Sequence, residues 1–175
     1  MKAPFDIAGD LDTPVSAYAK LASFGPHFLL ESVEGGERLA RYSFIGFGEG
    51  LEVRLDLDGL RIGAERHPVP ATQAELLAQL RRALAMAPRP QPEIPGVPLA
   101  GGLVGFTAYD VVRFFERLPQ RHERRRDAPI LHYVAPRSLL VFDHLTRGIA
   151  LLHAGSEAER QSLRREVIAA LRGPV

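Results

Sequence analysis

Two neighbouring segments carry the residue types that could bind a small charged molecule. The first, 28–32, is an apolar run that ends in a carboxylate and a hydroxyl, Glu31 and Ser32. The second opens at Arg41, whose guanidinium would return beside them if both segments are strands. Glu31 could then take an ammonium group, Arg41 a carboxylate and Leu30 an apolar side chain. A free amino acid carries all three of these groups.

The same spacing has a simpler interpretation. Exposed ion pairs are common in proteins and contribute little to stability. Glu31 and Arg41 could therefore lie at two strand ends and pair only with each other. The spacing by itself favours this ion pair over a ligand pocket, and the residues alone leave both interpretations open.

The other candidate motifs lack the surroundings that their chemistry needs. The glycines of 46–50 could approach a phosphate closely, but the segment has neither dinucleotide-binding spacing nor a P-loop Lys, and Glu49 would repel an anion. We interpret the segment as a structural turn. The six histidines are scattered without metal-site spacing, and no nucleophile elbow is present. The sequence thus predicts no catalytic residue and no metal site.

One basic cluster, 121–126, could contact phosphates or an acidic partner. It is interrupted by Glu123, followed by Asp127 and free of aromatic residues that could stack on bases. The whole chain has a formal net charge of only +1, so it has no global field that attracts nucleic acid. A solvated loop is the favoured interpretation, and nucleic-acid binding is the least favoured hypothesis for this protein.

Length and composition set the class of protein. A chain of 175 residues with 46% hydrophobic and 25% charged residues can bury a core of one domain. The absence of cysteine excludes disulfides, thiolate metal sites and a cysteine nucleophile. No apolar run approaches the roughly 18 residues of a membrane span, and the first residues do not resemble a signal peptide. We therefore expect a soluble, cytoplasmic protein without a membrane partner.

Helix signals occur at four places. The first helix should begin at Asp12-Thr13-Pro14 and bury Ala17 and Leu21, with Val15 a weaker candidate. Two others should begin at capping boxes, in which a hydroxyl and a carboxylate three residues apart cap the first turn. The second helix is predicted to start at Thr72 and to end near Met86. The third is predicted to span 107–117, and the fourth to start at Ser156.

Strand signals form two groups with antiparallel character. The segments 51–57 and 60–62 flank Asp58-Gly59, a strong signal for a type I′ hairpin. Further strands are predicted at 27–32, 41–47, 130–135, 138–144 and 148–153, with a tight turn at 146–148. Helices and hairpins mix without a βαβ rhythm, so the predicted fold class is α+β, with largely antiparallel sheets flanked by helices. Five prolines in 88–98 predict an extended linker between two halves, 1–87 and 99–175.

Several of these segments together resemble the N-terminal, regulatory domain of anthranilate synthase component I. The resemblance covers nearly the whole chain in the family's order. It is carried by Asp12-Thr13-Pro14, by 28–38, by Arg41-Tyr42-Ser43-Phe44-Ile45-Gly46, by 101–106 with 109–113, and by Val141-Phe142-Asp143-His144-Leu145.

The resemblance implies a function that the residues alone do not. In this family the Leu-Leu-Glu-Ser segment helps to form the feedback site for tryptophan. The resemblance therefore implies that tryptophan binds as an allosteric effector to Leu30, Glu31, Ser32 and Arg41 of this chain. The rest of that pocket comes from the family's catalytic domain, which also holds the chorismate and Mg²⁺ residues and would lie beyond Val175.

The family converts chorismate to anthranilate in tryptophan biosynthesis with ammonia from a glutamine amidotransferase subunit, component II. We therefore expect as partners the catalytic domain of component I, component II and L-tryptophan, and we expect this chain alone to be inactive and without a cofactor of its own. Two alternatives remain. One is the N-terminal domain of aminodeoxychorismate synthase component I, of folate synthesis; the other is a non-enzymatic module that self-associates into a homo-oligomer.

Overall fold

The computed structural model describes residues 4–31, 41–119 and 128–174. The fold is mixed α+β, and six strand pairs among the described residues are antiparallel, which confirms the predicted fold class. The chain forms two compact units. The first unit comprises Met1–Glu49, Pro88–Gly102 and Pro136–Val175, and the second comprises Gly50–Ala87 and Leu103–Ala135.

The first unit contains most of the elements near the predicted ligand-binding residues. Its elements are β1 (Ile7–Ala8), α1 (Pro14–Lys20), a 3-10 helix (Ala22–Phe24), β2 (Pro26–Leu30), β3 (Tyr42–Leu55), β7 (Leu131–Asp143), β8 (Gly148–His153) and α3 (Glu157–Leu171). Strands β3 and β7 contribute residues to both units. Strand β1 pairs with β8, β8 pairs with β7, and β2 pairs with β3.

Both faces of the sheet in the first unit are buried. Along β7 and β8, successive residues alternate between two apolar clusters, which explains why these strands read as continuous apolar runs. One cluster includes Leu140 and Ile149 and packs against residues of α1 and α3. The other includes Leu139 and Ala150 and packs against Ile94.

The proline-rich segment is part of this core and does not separate two halves. Ile94 is buried in the second of these clusters. Gln91 exchanges two backbone hydrogen bonds with His153, at 3.0 and 2.9 Å. The predicted halves 1–87 and 99–175 therefore do not correspond to the compact units. The prolines exclude regular structure, but an extended segment can still pack its apolar side chains on a sheet.

The second unit packs one helix and a few short strands around its own core. Its elements are the remainder of β3 and β7, β4 (Leu60–Ile62), β5 (Glu65–His67), α2 (Gln73–Met86), β6 (Val104–Thr107) and a 3-10 helix (Tyr109–Phe114). Val53, Leu55, Leu60 and Ile62 supply the sheet side of this core, and Leu76 supplies the helix side.

Two predicted elements of the second unit have a different local form. The segment predicted as helix 107–117 is the end of β6 followed by the 3-10 helix, and Phe115 is exposed. Thr107 pairs with Leu131 of β7, and the Ala108 N–H donates to the Ile130 carbonyl at 2.8 Å, so the helical segment begins only after Ala108. The predicted hairpin between β3 and β4 is present, but Asp58 does not have positive φ, so its turn is not type I′. The Asp56 carboxylate instead accepts the Asp58 N–H at 2.9 Å.

The glycine-rich segment 46–50 lies inside β3, so its interpretation as a turn was wrong. Gly46 is opposite Phe28 of β2, and the Phe28 ring occupies the space where a Cβ would stand. Gly48 has a φ of 80°, which an L side chain rarely adopts. The glycines permit a close approach and a local irregularity within a strand, not a reversal of the chain.

The helix starts agree with the sequence signals. Thr13 caps α1 with Pro14 in the first turn, whereas Val15 is exposed and not buried. The Thr72 hydroxyl caps α2 by accepting the Glu75 N–H, as predicted. The Glu75 carboxylate, however, accepts the Ala71 N–H at 2.8 Å and not that of Thr72, so the second bond of the capping box does not form as predicted. Ser156 and Glu159 form the complete capping box of α3.

Replacement of Ser156 by Ala should lower the free energy of unfolding by about 1 kcal/mol, because the Glu159 N–H loses its acceptor. Urea unfolding followed by circular dichroism measures the change. Ser162→Ala, in the partly buried middle of the same helix, serves as the matched control because it removes no capping bond. Equal stability losses for the two variants would contradict the assignment of the cap.

No helix in the described ranges is both long and apolar enough to cross a membrane. The basic cluster 121–126 lies outside the described residues.

Candidate functional site

The predicted ligand-binding residues come from one end of the β2–β3 pair. In the antiparallel register Leu30 is opposite Phe44, so the last residues of β2 and the first residues of β3 lie at the same end. Leu30 closes β2 with 41% of its surface exposed, and Glu31 follows it and is also exposed. Arg41 directly precedes β3. Ser32 lies outside the described residues.

Arg41 is held by Asp143, the last residue of β7. Arg41 Nε donates to Asp143 Oδ1 at 3.0 Å, and Nη2 donates to Oδ2 at 2.8 Å. The Asp143 side chain is 1% exposed, whereas the Arg41 side chain is 39% exposed. This two-bond geometry fixes the plane of the guanidinium and leaves Nη1 outside the pair.

The surroundings of Asp143 favour its ionised form. The hydrogen bond from Arg41 lowers the pKa of the Asp143 carboxyl, against the opposing effect of burial, and bonds from Thr146 and the Leu145 N–H lower it further. The Leu145 N–H donates to Oδ1 at 3.1 Å. The same pair raises the pKa of Arg41. The site is thus a permanent ion pair at neutral pH.

Two further contacts fix the backbone around the ion pair. The His144 N–H donates to the Arg41 carbonyl at 2.9 Å, and the Ser43 hydroxyl lies 2.8 Å from His144 Nε2. The Arg41 guanidinium also stacks 4.9 Å from the centre of the Tyr42 ring. Arg41 is therefore positioned before any ligand arrives.

Arg41 and its ion-pair partner border an open cleft of about 410 Å³. Most of the other lining residues are apolar: Pro4, Phe5, Tyr42, Ile94 and Pro95 belong to this group. Leu30 and Glu31 do not line the cleft. A cleft with an arginine and aromatic walls can accept an apolar molecule that carries a carboxylate.

Glu31 and Arg41 do not form the simple ion pair that the spacing favoured. Arg41 pairs with Asp143, which lies about a hundred positions further along the chain. Glu31 has no hydrogen bond or ion pair with any residue of the described ranges. The Arg41 guanidinium has further N–H groups that Asp143 does not engage.

Asp143 is the residue that sequence reasoning missed. It stands in the segment Val141-Phe142-Asp143-His144-Leu145, which carries part of the family resemblance, but the segment itself gives no sign of its partner. Among the described residues no group of three or more His, Asp or Glu could hold a metal ion.

Comparison with known proteins gives one consistent set of relatives. No family model matches the chain. The anthranilate synthase component 1 of Thermus thermophilus is 40% identical over 156 residues, which are 89% of this chain and 32% of that protein. The component 1 of Acetivibrio thermocellus is 32% identical over 163 residues, again 89% of this chain and 32% of the relative. The chain thus spans about a third of the length of these curated relatives.

A solved structure agrees in fold. The crystal structure of anthranilate synthase component I from Streptococcus pneumoniae TIGR4 matches this chain with a TM-score of 0.62 at 22% identity. The match covers 100% of this chain and 38% of that one. At this identity the likeness establishes the fold alone.

Proposed function

Because this chain is homologous to the anthranilate synthase component I proteins over about a third of their length, we propose that it is the N-terminal regulatory domain of such an enzyme. The observation that carries the proposal is the 40% identity to the Thermus thermophilus protein over 89% of the chain. In this proposal the domain takes part in the conversion of chorismate to anthranilate but holds none of the reacting groups. The chorismate-binding and Mg²⁺-binding residues, and contact with a glutamine amidotransferase subunit, belong to the complete enzyme.

The regulatory role rests on the end of the β2–β3 pair. Glu31 is exposed and without a partner among the described residues, so it can accept the ammonium of an amino acid. Arg41 is fixed by Asp143 and keeps donors for a carboxylate. Leu30 offers an exposed apolar surface at the same end of the β2–β3 pair. These features support L-tryptophan as an effector bound by Leu30, Glu31, Ser32 and Arg41.

The proposed inhibition is a coupling between two sites. Tryptophan bound at this end of β2 and β3 favours one state of the enzyme, and that state binds chorismate less well. Reciprocity requires chorismate to weaken tryptophan binding by the same factor. Since the chain supplies only part of the pocket in this proposal, tryptophan should bind the isolated chain weakly or undetectably.

The test is a fusion in which this chain replaces the 156 matching residues of the Thermus thermophilus protein. The fusion should form anthranilate from chorismate and ammonia, which is followed by anthranilate fluorescence, and L-tryptophan should inhibit it. Glu31→Gln should raise the tryptophan concentration for half inhibition about tenfold, because a charge-assisted hydrogen bond to the ammonium is lost. Activity without tryptophan should not change.

The matched control is Glu49→Gln, which removes an exposed carboxylate of β3. It should leave the tryptophan response unaltered. A fusion that folds but forms no anthranilate would refute the enzymatic assignment. An active fusion that tryptophan inhibits equally with and without Glu31→Gln would refute the effector site alone.

A further inference from the structure

Three arginines of the second unit lie side by side across three strands. Arg54 of β3 is the register partner of Arg61 of β4, and Arg61 is the partner of Arg66 of β5. Directly paired residues of antiparallel strands point to the same face, with Cβ atoms about 4.5–5.5 Å apart. The pairing therefore builds a continuous arginine row.

This row is not required by packing. The neighbouring positions Val53, Leu55, Leu60 and Ile62 turn to the opposite face and are buried in the core. Arg54 and Arg61 point away from that core, with 33% and 40% of their side chains exposed. Like charges placed directly opposite each other destabilise a sheet, so any neutral polar residue would suit the fold better.

The protein neutralises only part of the row. Arg61 donates to Glu52 at 2.7 Å, and Arg54 approaches Asp56 at 3.4 Å. Arg66 forms no hydrogen bond or ion pair with the residues that the structure describes. Arg61 Nε is buried and has no acceptor there either. A buried donor without an acceptor, such as Arg61 Nε, is rare in folded proteins, whereas Arg66 is exposed and keeps its donors in solvent.

The three arginines line one cleft of about 230 Å³. Two carboxylates, of Asp56 and Asp58, also line it. Asp56 is engaged on both oxygens, by Arg54 and by the Asp58 N–H. Glu52 lies outside the lining but pairs with Arg61, so Arg66 is the guanidinium of this row that has no carboxylate partner among the described residues.

From this arrangement we propose that the cleft binds a small dianionic oxyanion of the phosphate class, with Arg61 and Arg66 as its principal donors. A guanidinium offers two parallel N–H groups that match the spacing of phosphate oxygens. The site lies wholly in the second unit, whereas Leu30, Glu31 and Arg41 belong to the first. It therefore goes beyond the proposed function and does not depend on it.

The experiment titrates the 175-residue chain with inorganic phosphate and, separately, with glycerol 3-phosphate, and follows backbone amides by two-dimensional NMR. Sodium chloride at equal ionic strength is the reference. Phosphate should give saturable shifts at residues of β3, β4 and β5 around the arginine row. Similar shifts with glycerol 3-phosphate indicate a monoester site, and shifts with inorganic phosphate alone indicate a site for the free ion.

Arg66→Gln should weaken phosphate binding about tenfold, since one charge-assisted contact is lost. Arg81→Gln, an exposed arginine of α2 outside the lining, removes the same charge and should bind as the unchanged protein does. Equal weakening by both variants would show general charge screening and overturn the proposal. So would shifts that chloride reproduces, or shifts spread over both units.

Discussion

Replacement of Asp143 by Asn is expected to lower the free energy of unfolding by about 2 kcal/mol at pH 7. The buried carboxylate loses both charge-assisted bonds to Arg41, and such bonds contribute about 1.5–3 kcal/mol each when well formed. The loss is smaller than for a fully buried pair, because the Arg41 side chain is 39% exposed and can be hydrated again. Urea unfolding monitored by circular dichroism measures it.

The effect should depend on pH in a defined direction. In the folded protein the pKa of Asp143 lies below its ordinary value of 3.8, chiefly because of the bond from Arg41. The ionised carboxylate therefore stabilises the fold fully above about pH 4, and this contribution is lost as the pH falls through the folded-state pKa. The stability difference between Asp143→Asn and the unchanged protein should be largest near neutrality and shrink in acid.

Asp10→Asn is the matched control for this prediction. Asp10 is an exposed carboxylate of the first unit, with Arg147 at 3.9 Å, so its loss should change stability by less than about 0.5 kcal/mol. A difference for Asp143→Asn that stays constant from pH 7 to pH 3 would contradict the role of its charge. Equal effects of the two variants would contradict the role of its burial.

A methyl group at Gly46 should destabilise the protein by about 2–3 kcal/mol, because it overpacks the contact between β2 and β3. A Cβ at Gly46 would stand 2.3 Å from two atoms of the Phe28 ring, far inside van der Waals contact. Either the ring leaves its place against the core or β2 moves. Since β2 also carries Leu30, Gly46→Ala in the fusion protein should weaken tryptophan inhibition as well.

A double-mutant cycle separates this clash from other effects of the substitution. Phe28→Ala removes the ring, so Gly46→Ala should cost little in that background. The free energy of unfolding of the four proteins gives the coupling between the two positions. Additive losses would show that the ring is not the obstacle, and the predicted close approach would be wrong.

Local signals predicted the elements whose ends are set by neighbouring residues. The cap of α1 at Thr13, the capping box of α3 at Ser156 and the hairpin between β3 and β4 are confirmed. Side chains within four positions of each helix start satisfy the free N–H groups there, so the information lies in a short window of sequence.

Several of the wrong predictions depend on contacts with a distant segment. Residues 107–117 have an apolar pattern compatible with a helix, but Thr107 pairs with Leu131 of β7. Gly46 and Gly48 are typical of turns in sequence. In the structure the Phe28 ring lies over Gly46, which explains a glycine at that position of a strand. The prolines of 88–98 indicate a segment without helix or long strand, but nothing in them predicts the two backbone bonds between Gln91 and His153.

By itself, the sequence predicted the α+β class, most helix and strand positions, and the resemblance to anthranilate synthase component I, because several ordered motifs occur together along the chain. It also identified Glu31 and Arg41 as side chains with the chemistry to hold an amino acid. Only the tertiary structure decided what surrounds them. Asp143 meets Arg41 from about a hundred residues away, and the register of three strands places Arg54, Arg61 and Arg66 in one row. Such contacts depend on which strands pair and in which register, and no short window of sequence contains that information.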